Sequence, residues 1–408
     1  MSARRFMLGL AAAIVTAAGL VHAQGVSQPL SLADALSRAR SNSPVMAAAQ
    51  ARVAAARDAA ARAGRPLNPF VELRSENWLA DTPGGMPLDL FATVTQTFEF
   101  GGKRGARRAV ADAGLAGAAA AETLAWRELA RAVATEYLTA LRARDHARAR
   151  AAFATQMTEA ARIMGQRVEV GAAPEADLLR LRTEDTRALV ERTRADLAAA
   201  RAATTLGALL AQPVAADGLL APPRPPLPEA TAGVPAGHPA LTAATSAVTA
   251  ARAALDLERA RAVPDVGLNA GYKRTSGFNT GVAAITVPVP LFDRNGVARA
   301  LAEGQLRVAE HEREATEQRL RGALAAALDA ATVLAARAAD LQATLVVPAR
   351  GNRDAARAAF AAGALDVLRL VDAERLYLDA ELAAIDIEID AAAAAIEARL
   401  AAGEEPLP

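Results

Sequence analysis

The chain has 408 residues, 52% of them hydrophobic but only 3% aromatic, so alanine and leucine dominate and a helix-rich protein is expected. Its 46 basic and 45 acidic residues leave a formal charge of +1. They are interleaved along helical stretches as solvated ion-paired faces are, which argues against a nucleic-acid partner. There is no cysteine, so neither a disulfide framework nor a lipid anchor on a thiol is available.

Residues 1–23 carry Arg4 and Arg5, an apolar run from Phe6 to Leu20, and Val21-His22-Ala23 ahead of Gln24. This is the pattern of a secretory signal peptide with cleavage expected after Ala23. About 15 apolar residues fall short of the roughly 18 to 20 that a spanning helix needs. An exported protein follows.

A first repeat is expected over 24–212. Helical spacing of Leu, Val and Ala marks a helix over 31–63, with Ser31 and Asp34 suited to its N-terminal cap. Gly64, Pro66 and Pro69 end it. A β-hairpin is expected over 69–100, with Val71, Leu73 and Ser75 opposed to Glu72, Arg74 and Glu76, and Val94, Gln96 and Phe98 opposed to Thr93, Thr95 and Thr97. A Gly84-Gly85 loop joins the two strands. The hairpin runs into Phe98-Glu-Phe-Gly-Gly-Lys-Arg104, where the period changes from two to that of a helix. Long helices follow over 103–170 and 174–210, the first striped by Leu124, Leu129, Val133, Tyr137 and Leu141.

A connector over 213–238 is proline-rich and irregular. The second repeat, 239–402, has a helix over 239–262, a hairpin over 265–292 and long helices over 296–362 and 365–400, before a tail at 403–408. In the hairpin Val266, Leu268, Ala270 and Tyr272 oppose Gly267, Asn269, Gly271 and Lys273, and Ala283, Ile285, Val287 and Val289 share one face of the return strand. Phe100 to Gly171 and Phe292 to Gly363 both span 71 positions, so a shift of 192 superimposes the helical stretches without a gap. Pro348 is expected to bend the second long helix. About 70 helical residues would reach roughly 105 Å, so each long helix travels out, turns at Gly171 or Gly363, and returns.

Eight of the 14 aromatics, Phe70, Trp78, Phe91, Phe98, Phe100, Tyr272, Phe278 and Phe292, lie in or beside the hairpins. Interfacial girdles on membrane strands and an ordinary strand core both account for this clustering. No mature segment is expected to span as an apolar helix, whereas four strands of about 9 to 13 residues suit a tilted membrane strand. Four strands cannot close a barrel, so the membrane reading requires several chains.

The order of four motifs carries a resemblance: Ser31 to Leu36 with Asn42 and Pro44, Phe98 to Arg104, Val287-Pro-Val-Pro-Leu-Phe-Asp-Arg-Asn295, and Leu370-Val-Asp-Ala-Glu-Arg375. The chain resembles the TolC-like outer-membrane efflux proteins, and among them the cation-efflux, CzcC-like branch. The resemblance implies a mainly α fold with a membrane β-barrel portion, in which a homotrimer builds a twelve-stranded barrel continued by an α-helical barrel. It implies a location in the outer membrane of a Gram-negative bacterium, among outer-membrane lipid, with the helices in the periplasm. Partners would be a periplasmic adaptor and an inner-membrane RND-type pump. The chain would be the passive exit duct for heavy-metal cations, with a drug-efflux or type I secretion duct as the alternative; a periplasmic coiled-coil adaptor or scaffold without a pore is a third reading.

By position the resemblance also marks Asp372 as a periplasmic gate carboxylate, nine residues after Gly363. At a shift of 192, Asp177 matches Arg369 and Arg180 matches Asp372, which suggests ion pairs across adjacent helical hairpins. A second aspartate seen in relatives is replaced by Arg369, and Asp366, nearly one turn away, is the candidate substitute. Gly171, Pro174, Gly363 and Leu365 are the expected adaptor-contact tips, and Phe70, Trp78, Phe91, Phe98, Tyr272 and Phe278 the membrane-interface aromatics. No catalytic constellation, cofactor site or metal site is expected: His146, His238 and His311 are isolated, His146 and His311 reading as exposed helix residues. Gly101-Gly-Lys-Arg104 lacks phosphate-loop spacing and reads as a strand-to-helix corner with Lys103 and Arg104 near the membrane surface.

Overall fold

A computed structural model describes residues 29–77, 88–222, 224–228 and 234–407. The expected leader, Trp78 and the Gly84-Gly85 loop lie outside these residues. The fold is mainly helical with two β-hairpins.

The first helical stretch is two helices, α1 (Leu32–Asn42) and α2 (Pro44–Ala63). Ser31 and Asp34 form the expected capping box at the start of α1. The expected single helix over 31–63 is interrupted at Ser43, whose ψ of 127° is extended. Pro44 explains the break, because its ring disfavours the helical conformation in the residue before it. Ser43 then caps α2, its hydroxyl accepting from Val45 N at 3.2 Å.

Strands β1 (Phe70–Glu76), β2 (Asp89–Phe98), β3 (Val266–Thr275) and β4 (Phe278–Thr286) form one antiparallel sheet in the order β1-β2-β3-β4. Ser276 and Gly277, both at positive φ, close the β3–β4 turn, as two-residue hairpin turns require. The return strand stops at Thr286, short of the expected Val287 and Val289, because Pro288 and Pro290 have no N–H to give a ladder. The outer edges of β1 and β4 have no partner strand among the described residues.

At the end of β2 the motif Phe98 to Arg104 joins the two repeats. Gly101 and Gly102 have φ of 72° and 76°. A Cβ on Gly101 would stand 2.7 Å from Val263 Cβ and 3.0 Å from the Ala260 carbonyl oxygen, so only glycine suits both the conformation and the space. Lys103 Nζ donates to Asp265 Oδ1 at 2.7 Å, and Phe100 N donates to the same oxygen at 3.2 Å. Arg104 donates to the Gly64 carbonyl at 3.1 and 3.0 Å, covering the open end of α2. Arg107 bonds the Arg65 carbonyl and Glu99. Lys103 and Arg104 thus both bond within the chain, Lys103 buried and Arg104 exposed. In the second repeat Asn295, at φ 61°, reaches back to the Glu258 carbonyl at 2.9 Å and its carboxylate at 2.7 Å.

Beyond the corners run α3 (Lys103–Glu169) and its antiparallel partner α4 (Glu175–Leu210), and, after α5 (Pro239–Arg261), α6 (Gly296–Leu341), α7 (Val347–Ala361) and α8 (Val367–Ala401). The 67 residues of α3 reach about 100 Å. The helix expected over 296–362 is divided by a π turn at Gln342–Val346, and by length and composition Gly296–Ala361 is long and apolar enough to cross a membrane, which corrects the expectation that no mature segment is. Pro348 lies just beyond it, without an N–H for the carbonyl four residues earlier, and the wider turn accommodates that lost bond. One core gathers α1, α3, α4 and α8 around Tyr137, Leu141, Leu206 and Ile396; a second, nearer the turns, holds Met157, Leu181, Phe360 and Leu370.

Mid-shaft, His238 is buried and caps α5, its Nδ1 accepting from Ala240 N at 3.1 Å. Burial, and next the charge of Arg127, hold His238 below its ordinary value of 6.5. The folded chain thus resists a proton that the unfolded chain takes up. Its contribution is complete above 6.5 and declines as pH falls through the lower folded value. Thermal unfolding scanned between about pH 5 and 8 should show that decline, and His238→Asn, which keeps a cap without titrating there, should flatten it. An unchanged profile in the variant would remove His238 as its source.

Candidate functional site

The sheet has two chemically distinct faces, set by strand periodicity and fixed by the register. Val71 and Leu73 on β1 share a face with Leu90, Ala92, Val94 and Phe98 on β2. Leu268, Ala270 and Tyr272 on β3 and Ala283 and Ile285 on β4 continue it. This face is mainly apolar and largely exposed, with Ser75, Gln96, Arg274 and Asn279 as its polar members. Its reverse carries Glu72, Arg74 and Glu76, then Asp89, Thr93, Thr95 and Thr97, then Asn269 and Lys273. Lys273 pairs with Asp89 at 3.2 Å, Arg74 with Glu76 at 3.3 Å, and Asn269 donates to Thr95 Oγ1 at 2.7 Å.

The candidate interface aromatics are divided by the same register. Phe98 and Tyr272 lie on the apolar face, whereas Phe70, Phe91 and Phe278 lie on the polar one. Phe91 sits between the Arg74 guanidinium at 4.4 Å and the Lys273 ammonium at 4.8 Å, so its ring serves cations.

At the far end the two helical turns repeat one geometry. Gly171 and Gly363 have φ of 71° and 77°. Ala172 N bonds the Arg167 carbonyl at 2.7 Å and Ala364 N the Ala359 carbonyl at 2.8 Å, so both helices end in the same left-handed glycine cap. The turns are tied together by Arg167, which donates to the Phe360 carbonyl at 2.6 Å and lies 4.9 Å above the Phe360 ring. Between them is a cleft of about 350 Å³ lined by Arg167, Pro174, Asp177, Gly363, Leu365 and Asp366. The candidate adaptor-contact residues thus line or flank one cleft.

The candidate gate charges lie at the starts of α4 and α8. Asp366 caps α8, accepting from Arg369 N at 2.9 Å, and its other oxygen stands 3.8 Å from the Arg369 side chain. Arg180 and Asp372 are exposed. Neither the Asp177 to Arg369 pair nor the Arg180 to Asp372 pair forms within the chain among the described residues. The ion pair that does cross between α4 and α8 is Arg375 with Glu184, farther from the turns.

Behind Asp372 lies a polar cluster that sequence reasoning missed. Glu374 is only 3% exposed and takes both arms of Arg357 from α7, the second at 2.8 Å. The guanidinium of Arg353 stacks on Tyr377 at 3.8 Å. Glu374 belongs to the Leu370 to Arg375 motif, but nothing in the sequence marks Arg357, on the preceding helix, as its partner. The expected exposure of His146 is also corrected: it is half-buried, its Nε2 3.0 Å from Asp386, beside Arg142. His311 is exposed.

With this geometry in place, the chain matches the profile of the family described as outer membrane efflux protein over residues 35–211 and 234–404. The nickel and cobalt resistance protein CnrC of Cupriavidus metallidurans is 32% identical over 274 residues, 63% of each chain. The cobalt-zinc-cadmium resistance protein CzcC of the same organism is 28% identical over 305 residues, 71% of each. The match to CnrC spans less than two thirds of that protein's length. In fold, the outer membrane protein VceC of Vibrio cholerae superimposes with a TM-score of 0.74 at 21% identity, covering 91% of this chain and 96% of VceC.

Proposed function

Because the chain belongs to the outer membrane efflux protein family, TolC-like in fold, we propose that three copies form the outer-membrane duct of a tripartite efflux system that exports heavy-metal cations. The observation that carries this reading is the two-faced sheet with two free edges. A mainly apolar, exposed face suits lipid, a polar face suits a water-filled lumen, and unpaired edges are tolerated in a bilayer only if other strands close on them. Three copies would contribute twelve strands. The long helices would then extend the passage into the periplasm, where the cleft between the two turns would receive an adaptor that links the duct to an inner-membrane RND-type pump.

The cation cargo is supported by the likeness to proteins named for nickel, cobalt, zinc and cadmium resistance. The polar face adds Glu72, Glu76 and Asp89 against Arg74 and Lys273, an excess of one acid per chain. At the narrow end, the exposed Asp372 would give a three-fold carboxylate ring that attracts cations and resists anions. Conduction would be passive, with no chemistry performed by the chain.

The test is the mass of the mature protein in detergent, followed by planar-bilayer conductance of the native protein and Asp372→Ala. A trimer with small cation-selective currents, enlarged or made less selective in the variant, is expected. Currents indifferent to the substitution would remove Asp372 as the gate and keep the duct. A water-soluble monomer without conductance would end the duct reading.

A further inference from the structure

The two strand-to-helix corners are equivalent under the repeat, yet only one finds its neighbour within the chain. Phe100 and Lys103 correspond to Phe292 and Asn295 at the 192-residue shift. The first corner, at the end of β2, packs on the start of β3, where Asp265 follows Pro264 and receives Lys103 and Phe100 N. The second corner, at the end of β4, has no following strand to meet. Its side chains stand in the open: Leu291 is 71% exposed and Phe292 101%.

In a closed antiparallel barrel the free edge of β4 takes β1 of the next copy. β4 ends, and β1 begins, at the helical end of the sheet. The segment brought beside the second corner is therefore Leu67 to Phe70, the counterpart of the β3 entry, in which Phe70 follows Pro69 as Asp265 follows Pro264. Leu67 and Phe70 are 44% and 64% exposed. No carboxylate occupies the Asp265 position there, and Asn295, at the Lys103 position, is already bonded to Glu258 within its own chain. The ionic contact of the first corner has no equivalent at the second. Large apolar side chains stand on both sides instead.

We propose that Phe292, with Leu291, seats against Leu67 and Phe70 of a second copy of this chain, making the joint between copies apolar where the equivalent joint within each chain is ionic. This rests on the trimeric reading above. The contact is heterologous, knob on one copy and socket on the next, and closes after three. Being apolar, the contact does not depend on ionic strength.

The chain has no cysteine, so introduced thiols report alone. The double variant Phe292→Cys/Leu67→Cys, extracted in detergent and treated with a short bis-maleimide, should shift most chains to dimer- and trimer-sized bands, while either single variant stays at chain mass. Independently, a spin label on Phe292→Cys, in vesicles of phosphatidylethanolamine and phosphatidylglycerol, should be shielded from both oxygen and a water-soluble nickel chelate. A protein of trimer mass whose label is open to oxygen would place Phe292 in the bilayer, and one open to nickel would place it in the lumen; either overturns the joint and leaves the trimer. A monomeric mass would overturn the trimeric reading, and the joint with it.

Discussion

Replacing Glu374 by alanine should cost about 3 kcal/mol, the largest effect expected from a single side chain near the turns. The carboxylate is buried and holds both arms of Arg357, so its loss strands a guanidinium against the α7–α8 seam. Breaking one side of a buried pair costs roughly 3 to 5 kcal/mol, and the partial exposure of Arg357 sets the lower end. Converting the pair together, Glu374→Leu with Arg357→Met, should recover most of the loss, since an apolar pair of similar volume leaves no charge unmatched. Thermal unfolding of the three proteins decides it. Equal loss in the single and double variants would mean that packing, and not the stranded charge, is what Glu374 supplies. Asp372 lies two residues away on the same helix, so the single variant should also disturb conductance.

The second effect is mid-shaft. Tyr137 is fully buried on α3, and its hydroxyl lies 2.7 Å from the Leu30 carbonyl and 2.6 Å from that of Leu220, while Leu220 N donates to it at 3.1 Å. Burial above all pushes the phenol up to about 12, so it stays protonated. Tyr137→Phe keeps the ring and removes a hydroxyl that bridges the chain before α1 and the connector after α4. The hydroxyl shares one proton between the two carbonyls, and since Leu220 N still serves Leu30, its loss leaves the Leu220 carbonyl without that donor at a cost of about 2 kcal/mol. A thermal midpoint lowered by several degrees, with faster proteolysis ahead of α1, is the expected result. A midpoint unchanged from the native protein would show that Leu30 and Leu220 hold each other unaided, through their own bond at 3.0 Å.

Much of the fold could be read from residue periods, because strands repeat every two residues and helices every 3.6, and the corners mark where one gives way to the other. The faces of β2 and β3 follow directly from that alternation. What escaped were features decided by single prolines or by distant partners. Pro44 divides a helix whose Leu, Val and Ala spacing runs through it, and Pro348 acts through a π turn five residues long, where periodicity offers only a bend. Phe91 was legible as a strand residue, but its placement between Arg74 and Lys273 depends on two pairings, one local and one with the other repeat. The candidate site shows the same division. Gly171 and Gly363 announce turns by themselves, whereas the bonds of Arg167 and Arg375 join helices that are not neighbours in sequence, that of Arg357 crosses a turn, and a list of helical charges does not rank them.

The joint at Gly101 and Lys103 also governs the order in which the chain can acquire its shape. Phe100 and Asp265 are 165 residues apart, and the pairing of β2 with β3 spans a similar distance. Bringing together ends separated by on the order of 170 residues costs about 4.5 kcal/mol of chain entropy before any contact repays it. The two hairpins and the α3–α4 pair involve shorter closures and form first; the central seam of the sheet is a late event. Until then each chain carries two separate hairpins with four open edges. The β2–β3 ladder, closed at its helical end by the ionic clasp, halves that number.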